Sequence, residues 1–370
     1  MFRNKTFDLS LVIIPIIFLV VSVSVIYSLV LGTASEGLGL KQAIVGIVGL
    51  VILAAVSFLD YRFFRGTSWI FYSISIILLV LVDLFGKTAN GAENWIDLKV
   101  FQLQPSEVAK IFLIFSLAAF FCEKIGKIRW RDIIKSFLML ALPLALILKE
   151  PDLGTGMVIV FIYLVFLFVS RPTKIQTSVI LGVAVLLFSF VALSYLNIKP
   201  FGSAMKTYQR ERITIFLHPE ADPYGRGYNI KQAQITIGSG GILGRNLGKG
   251  SQSQLQFLPE AQTDFIFAGI AESFGFIGGF VLLALYCLLL IRLVDIANLA
   301  RDNYGMLVAF GVAAMVFVQV LENVGMNLGL LPVTGIPLPF LSSGGTSLIV
   351  SLFSLGVVES IYIRHKQITF

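Results

Sequence analysis

A set of charged side chains falls at or just inside the ends of long apolar stretches: Glu107, Lys110, Lys149, Glu150, Asp152, Asp264 and Glu272. A charge there is costly to hold, which makes it a functional candidate by default. One alone is equally well explained as a snorkelling interfacial residue or a structural ion pair, but a cluster on one membrane face favours a site. The chemistry open to it is narrow: carboxylates take up protons or hold cations, and lysines neutralise anions. The two histidines, His218 and His365, lie outside the apolar stretches, so a membrane Ser–His dyad is absent. Cys122 and Cys287 are far apart in apolar surroundings and form no CxxC, so neither a disulfide framework nor a zinc site is expected.

Local sequence says how these groups are presented. Gln104-Pro105-Ser106 suits a helix start, and the three-residue offset puts Glu107 and Lys110 on one helical face. Asp152 lies in a tight turn, Glu150-Pro151-Asp152-Leu153-Gly154-Thr155, between two apolar stretches. Asp264 stands where a long polar segment enters the next stretch, a place where the helix dipole favours an acid. Pro332, Pro337 and Pro339 break the chain before Ser342-Ser343-Gly344-Gly345-Thr346, whose small residues can open a helix N-terminus to an anion. A basic stretch around Arg210 and Arg212 favours anionic head groups, and arginine can grip phosphate oxygens bidentately. The glycines between Gly238 and Gly250 have no strand before them and no Walker lysine after them, so a nucleotide loop is disfavoured against a flexible loop near the membrane surface.

The elements that must position these groups are membrane helices. Hydrophobic residues make up 57% of the 370, and charged ones only 13%, far from a soluble or a disordered chain. Ten apolar stretches run roughly 9–31, 42–59, 68–85, 106–121, 133–148, 154–169, 175–196, 265–291, 305–326 and 347–363. With the N-terminus inside, 15 Lys and Arg fall on the cytoplasmic side and 5 on the short outer connections. The net charge of +7 is therefore topological and no nucleic-acid partner is expected. The expectation is an all-α integral membrane protein forming a single polytopic domain, 1–370, of about ten spans. Both termini are cytoplasmic, and one large extracellular loop, 197–263, joins spans seven and eight.

Gln104-Pro105-Ser106-Glu107, Pro151-Asp152-Leu153-Gly154, Leu258-Pro259-Glu260 with Thr263-Asp264-Phe265-Ile266-Phe267, and Pro337-Leu338-Pro339 before Ser342 and Gly344-Gly345 occur in that order. Together they resemble the SEDS family (shape, elongation, division and sporulation) over nearly the whole chain. Asp222-Pro223 through Gly227-Tyr228, Gly238-Ser239-Gly240-Gly241 and Ser251-Gln252-Ser253-Gln254-Leu255 are similar to its rod-shape branch rather than its division branch. The resemblance implies a ten-span protein of the bacterial cytoplasmic membrane that polymerises peptidoglycan glycan strands from lipid II. It implies a class B penicillin-binding protein as transpeptidase partner, beside other membrane proteins of the elongation machinery. The chain departs from the family pattern at Glu150, where glutamine is common, and at Gln262, Ser273 and Ser343.

On this reading Asp264 is the catalytic residue, a general base for the acceptor hydroxyl or a metal ligand. Glu107, Lys110, Asp152, Arg210, Arg212, Glu272, Ser342, Gly344 and Gly345 bind substrate or support the site. A divalent cation, Mg²⁺ or Mn²⁺, suits a pyrophosphate leaving group, although no ligand spacing specifies one, and no organic cofactor is expected. Two other readings compete, a lipid II flippase or transporter and a non-catalytic scaffold. The outward clustering of charge and the lack of an internal repeat disfavour transport. The topology is checked by cysteine labelling from outside: a probe near Arg245 reacts and one near Lys127 does not, and the reverse pattern would overturn the placement of the site.

Overall fold

Residues 7–32, 35–89, 92–97, 102–196 and 207–365 are described in a computed structural model. The first half comprises α1 (Leu9–Val30), α2 (Leu38–Phe58), the short α3 (Arg62–Gly66), α4 (Ser68–Phe85), β1 (Lys87–Ala89), β2 (Ala92–Asp97), β3 (Gln102–Leu103), α5 (Pro105–Phe121), α6 (Trp130–Lys149), α7 (Leu153–Val169) and α8 (Lys174–Tyr195). The second half comprises α9 (Thr207–Leu217), α10 (Arg226–Ser239), α11 (Ser251–Gln254), α12 (Ile266–Leu299), α13 (Asn303–Asn327) and α14 (Gly345–Ile363). Each of the ten apolar stretches is helical, α12 with a break, and among the described residues six helices are long and apolar enough to cross a membrane. Exposed Leu, Ile, Val and Phe run along α2, α4, α8 and α12. In water such surfaces would be a liability; in lipid they are the ordinary exterior.

Polar residues start these helices where the sequence offers them. Asp8 accepts from Ser10 N–H at 2.9 Å, Asp152 from Thr155 N–H at 2.9 Å and Asp302 from Gly305 N–H at 2.8 Å. The middle of the bundle is α13, buried along most of its length and packed against α5, α7 and α12. A helix apolar all round has to be interior. On another side α14 lies along α2, with α1 beside them. At one end the side chains of Arg62 and Asp302, Arg65 and Glu123, and Arg292 and Asp8 pair. The opposite end gathers the β-strands, the Glu150–Asp152 turn, the segment before α12 and the broken stretch before α14.

Two features differ from expectation. The connection before α5 carries a small antiparallel sheet, ordered β1-β2-β3. The long loop, of which 197–206 lie outside the described residues, folds over its described part as α9, α10 and α11, and α10, with Gly227, Ile230, Ala233 and Thr236 buried, packs on α12. The glycine-rich part also has a structural task. Helix α12 is interrupted at Gly275, with φ 68° and ψ −167°, a conformation that glycine adopts without strain. Groups freed by the break find partners in the loop: Arg245 N–H donates to Glu272 O at 2.9 Å and Asn246 N–H to Ser273 O at 3.0 Å, while Phe276 N–H donates to Gly241 O at 2.8 Å. Buried backbone groups at such a break need partners.

Candidate active site

A cavity of about 420 Å³ opens at the sheet-bearing end, lined by Asp152, Arg212, Asp264, Gly344, Arg226 and Glu260 among others. It is built by six separate stretches of chain, 95–104, 151–152, 212, 226–229, 260–265 and 333–347. Asp152 is the N-cap of α7 and also receives a hydrogen bond from Ser106 Oγ at 3.3 Å. Gly154, two residues on, permits this turn to sit against the broken segment before α14: a Cβ there would lie 2.4 Å from Ile336 Cγ1. Arg212, from α9, donates to the carbonyls of Val333 at 3.2 Å and Thr334 at 3.4 Å, bridging the loop to that same segment.

Asp264 precedes α12, and its backbone is fixed at three successive carbonyls. Gln262 O accepts from Ser343 N–H at 2.9 Å, and Thr263 O accepts from Ser342 Oγ at 2.6 Å. Asp264 O accepts from Asn323 Nδ2 at 2.9 Å and Asn327 Nδ2 at 3.1 Å. Asn323 also donates to Ile336 O at 2.8 Å, and Asn327 Oδ1 accepts from Ala268 N–H at 3.1 Å. The carboxyl is left to the cavity. Burial pushes it up to about 6, with Glu260 and Asp152 adding to the rise and the Arg212 guanidinium opposing it. The acid is thereby poised as a base near neutral pH.

The remaining expected site residues divide plainly. Gly344 is the N-cap of α14 and lines the cavity, and Gly345 begins the helix beside it. Ser342 is buried and acts through Thr263 O and Leu338 N–H. Lys110 is 0% exposed and donates to Glu107 at 2.6 Å, a buried pair that supports the bundle and does not line the cavity. Asp152 does not pair with Lys149, which instead meets Asp83 at 2.6 Å. Arg210 is also displaced from its expected place. It donates to Ser194 O at 3.1 Å and lines a different cavity with Glu211 and Asp222. Glu272 is buried against the loop, accepting from Gln252 N–H at 2.9 Å, and so anchors α11 without facing the cavity.

Several site residues were not singled out from sequence. Arg226 and Glu260 lie inside motifs already quoted, but nothing in their spacing marked them. Asn323 and Asn327, both fully buried on α13, carried no signal at all within an apolar helix. Buried Glu322 of the same helix lies within electrostatic reach of Lys110.

The arrangement defines a multi-pass membrane protein with one fixed carboxylate facing arginines and a helix N-terminus across a polar cavity. The chain belongs to the FtsW/RodA/SpoVE family, described as a cell cycle protein, whose model matches residues 4–367. It is 38% identical over 372 residues to the peptidoglycan glycosyltransferase MrdB of Escherichia coli K12, covering 99% of this chain and 98% of that protein. Among solved structures it is similar to a chain of a peptidoglycan synthase complex studied for how it coordinates polymerization and crosslinking. That match has a TM-score of 0.80 and 32% identity, over 98% of this chain and 99% of the other. The rod shape determining protein RodA of Thermus thermophilus matches with a TM-score of 0.71 and 28% identity, over 98% of each chain.

Two substitutions test this geometry. Asn323→Ala takes the side-chain donor from Ile336 O and one of two from Asp264 O, at a cost of about 1–3 kcal/mol for the buried group left unpaired. It is expected to lower Tm and turnover together while substrate binding persists; unchanged turnover would show that the clamp does not position Asp264. Glu150, buried with neither carboxyl oxygen hydrogen-bonded, is pushed up to about 8 by burial, with Asp152 and Asp83 adding to the rise. Near neutral pH it is thus the uncharged counterpart of the family's glutamine. Because the unfolded chain ionises first, this group loses stability as pH rises from about 4.5 towards 8. Glu150→Gln should keep activity and raise Tm more at pH 8 than at pH 5, measured by thermal unfolding in detergent.

Proposed function

We propose that the chain polymerises lipid II into glycan strands at the outer face of the bacterial cytoplasmic membrane during cell elongation. It is a peptidoglycan glycosyltransferase, as its curated relatives are named. The observation that carries the mechanism is the pinned backbone and free carboxyl of Asp264, set across one cavity from Arg212, Arg226 and the α14 N-terminus.

The acceptor 4-hydroxyl attacks the anomeric carbon of the donor sugar. A carbon–oxygen bond forms there as the bond to the pyrophosphate oxygen breaks, and single displacement inverts that carbon. The hydroxyl proton passes to Asp264, and the electron pair leaves on undecaprenyl pyrophosphate. Arg226 and the unpaired N–H groups at the start of α14 stabilise the departing charge. Arg212 holds the walls together and limits how far burial raises the pKa of Asp264. Asp152 orders the turn at the cavity edge.

Asp264 and Asp152 would be the residues to hold a divalent cation in this cavity, since carboxylates are the hard oxygen donors such an ion prefers. Among the described residues no three acidic, histidine or cysteine side chains form a ligand set of their own. The ion would supply Lewis-acid stabilisation of the leaving group.

The 15-to-5 distribution of Lys and Arg supports cytoplasmic termini and an outward-facing cavity, and the ten helices support ten spans. The partner that fits is a class B penicillin-binding protein, which would crosslink the strands as they emerge. The synthase-complex neighbour, which couples polymerization to crosslinking, supports that assignment.

Purified protein with lipid II should give glycan strands on a gel. Asp264→Asn is expected to fold normally and lose roughly 10²–10⁴ of the rate. Near-normal polymer from that variant would remove Asp264 from the chemistry. The acid limb of the rate–pH profile should fall near 6, because protonation silences the base. Glu260→Gln removes a neighbouring like charge and should move that limb to lower pH.

A further inference from the structure

The charged wall of the cavity is accounted for; its aromatic wall is not. Trp95 lines the same cavity as Asp264, partly exposed. It stands on β2, opposite Lys87 of β1, while the next residue, Ile96, stands opposite Leu103 of β3. Strand alternation sends Trp95 and Ile96 to opposite faces of this small sheet.

The sheet is fastened to the site. Thr346 Oγ1 donates to Gln102 O at 2.9 Å and accepts from Gln104 N–H at 3.2 Å. Thr346 belongs to the first turn of α14, two residues after Gly344, so the strand carrying Trp95 is tied to the helix end that faces the leaving group. An indole presented to a polar, wet cavity is a large rigid surface that loses little entropy on making a contact. Phosphates have no use for it. A pyranose ring does, because one of its faces is a patch of C–H groups while its rim carries hydroxyls. The rim needs groups that both donate and accept, and the carboxamides of Gln104 and Asn229 line the same cavity.

We propose that Trp95 is a sugar platform: one pyranose ring of the substrate stacks on its indole, with Gln104 and Asn229 bonded to the ring's hydroxyl or N-acetyl groups. This rests on the glycosyltransferase reading and divides the cavity into an anion side and a carbohydrate side.

The sequence makes the test direct, since Trp69 and Trp130 are the other two of three tryptophans. Both are exposed on α4 and α6, so Phe at each leaves a single-tryptophan full-length protein. Titration with the free N-acetylglucosaminyl–N-acetylmuramic acid disaccharide should change its emission saturably, and inorganic pyrophosphate should not. In polymerisation assays Trp95→Leu should raise KM for lipid II about tenfold with kcat changed little, and Trp95→Tyr should restore most of it. Wild-type protein in the same assay separates the two ideas. No polymer from wild type would condemn the glycosyltransferase reading. Polymer from wild type, with an unchanged KM in Trp95→Leu and an emission indifferent to the disaccharide, would overturn the platform alone. If Trp95→Leu does not fold, the fluorescence titration decides the matter, and an emission unchanged by the disaccharide overturns the platform.

Discussion

Three neighbouring carbonyls, of Gln262, Thr263 and Asp264, are each tied to a different donor, and the rest of the site follows from that constraint. The donors come from α13 and from the lead-in to α14, elements far away in sequence. The segment before α12 can therefore hold its shape only when both are docked. Fixing the backbone while leaving the carboxyl unbonded gives a base with a defined position and freedom to take a proton. A side chain held by its own hydrogen bonds would have been easier to stabilise and worse at the chemistry.

Charge is sorted by depth. Glu107 and Lys110 neutralise one another where water cannot reach, an arrangement whose stability gain is small but whose disruption is costly. Asp152, Glu260, Arg212, Arg226 and Asp264 share the cavity instead, where each sets the field felt by the others. Arg212 shows the economy of the design: by bonding carbonyls of the proline-broken segment it becomes part of the wall, and from there it limits how far burial raises Asp264.

Much of this was legible in the sequence. Ten apolar stretches gave ten helices because nothing in lipid competes with internal backbone hydrogen bonding. Asp152, Asp264 and Gly344 stand out because charge, proline and glycine are conspicuous at the ends of such stretches, and Arg212 because it belongs to a basic stretch; all four line the cavity. Burial was not legible: a three-residue offset looks the same for an exposed ion pair and for the sealed Glu107–Lys110. Asn323 and Asn327 were hidden by a helix that is interior on every side and so has no polar face to mark them. Arg226 was one of many basic residues in its loop. The loop helices gave no signal because their apolar residues are few, and packing of α10 on α12, with α9 and α11 on α10, orders them rather than periodicity.

The interruption of α12 at Gly275 has a bearing on biogenesis. Its freed groups are met by residues 241–246, which precede α12 in the chain. A helix broken near one end would bury bare peptide groups unless its counterpart were already waiting. Here synthesis delivers the counterpart first, and only some 30 residues separate the two sides of the junction. The order in which the ribosome releases the chain is thus also the order in which the break can be healed, and α12 can mature without awaiting the spans that follow it.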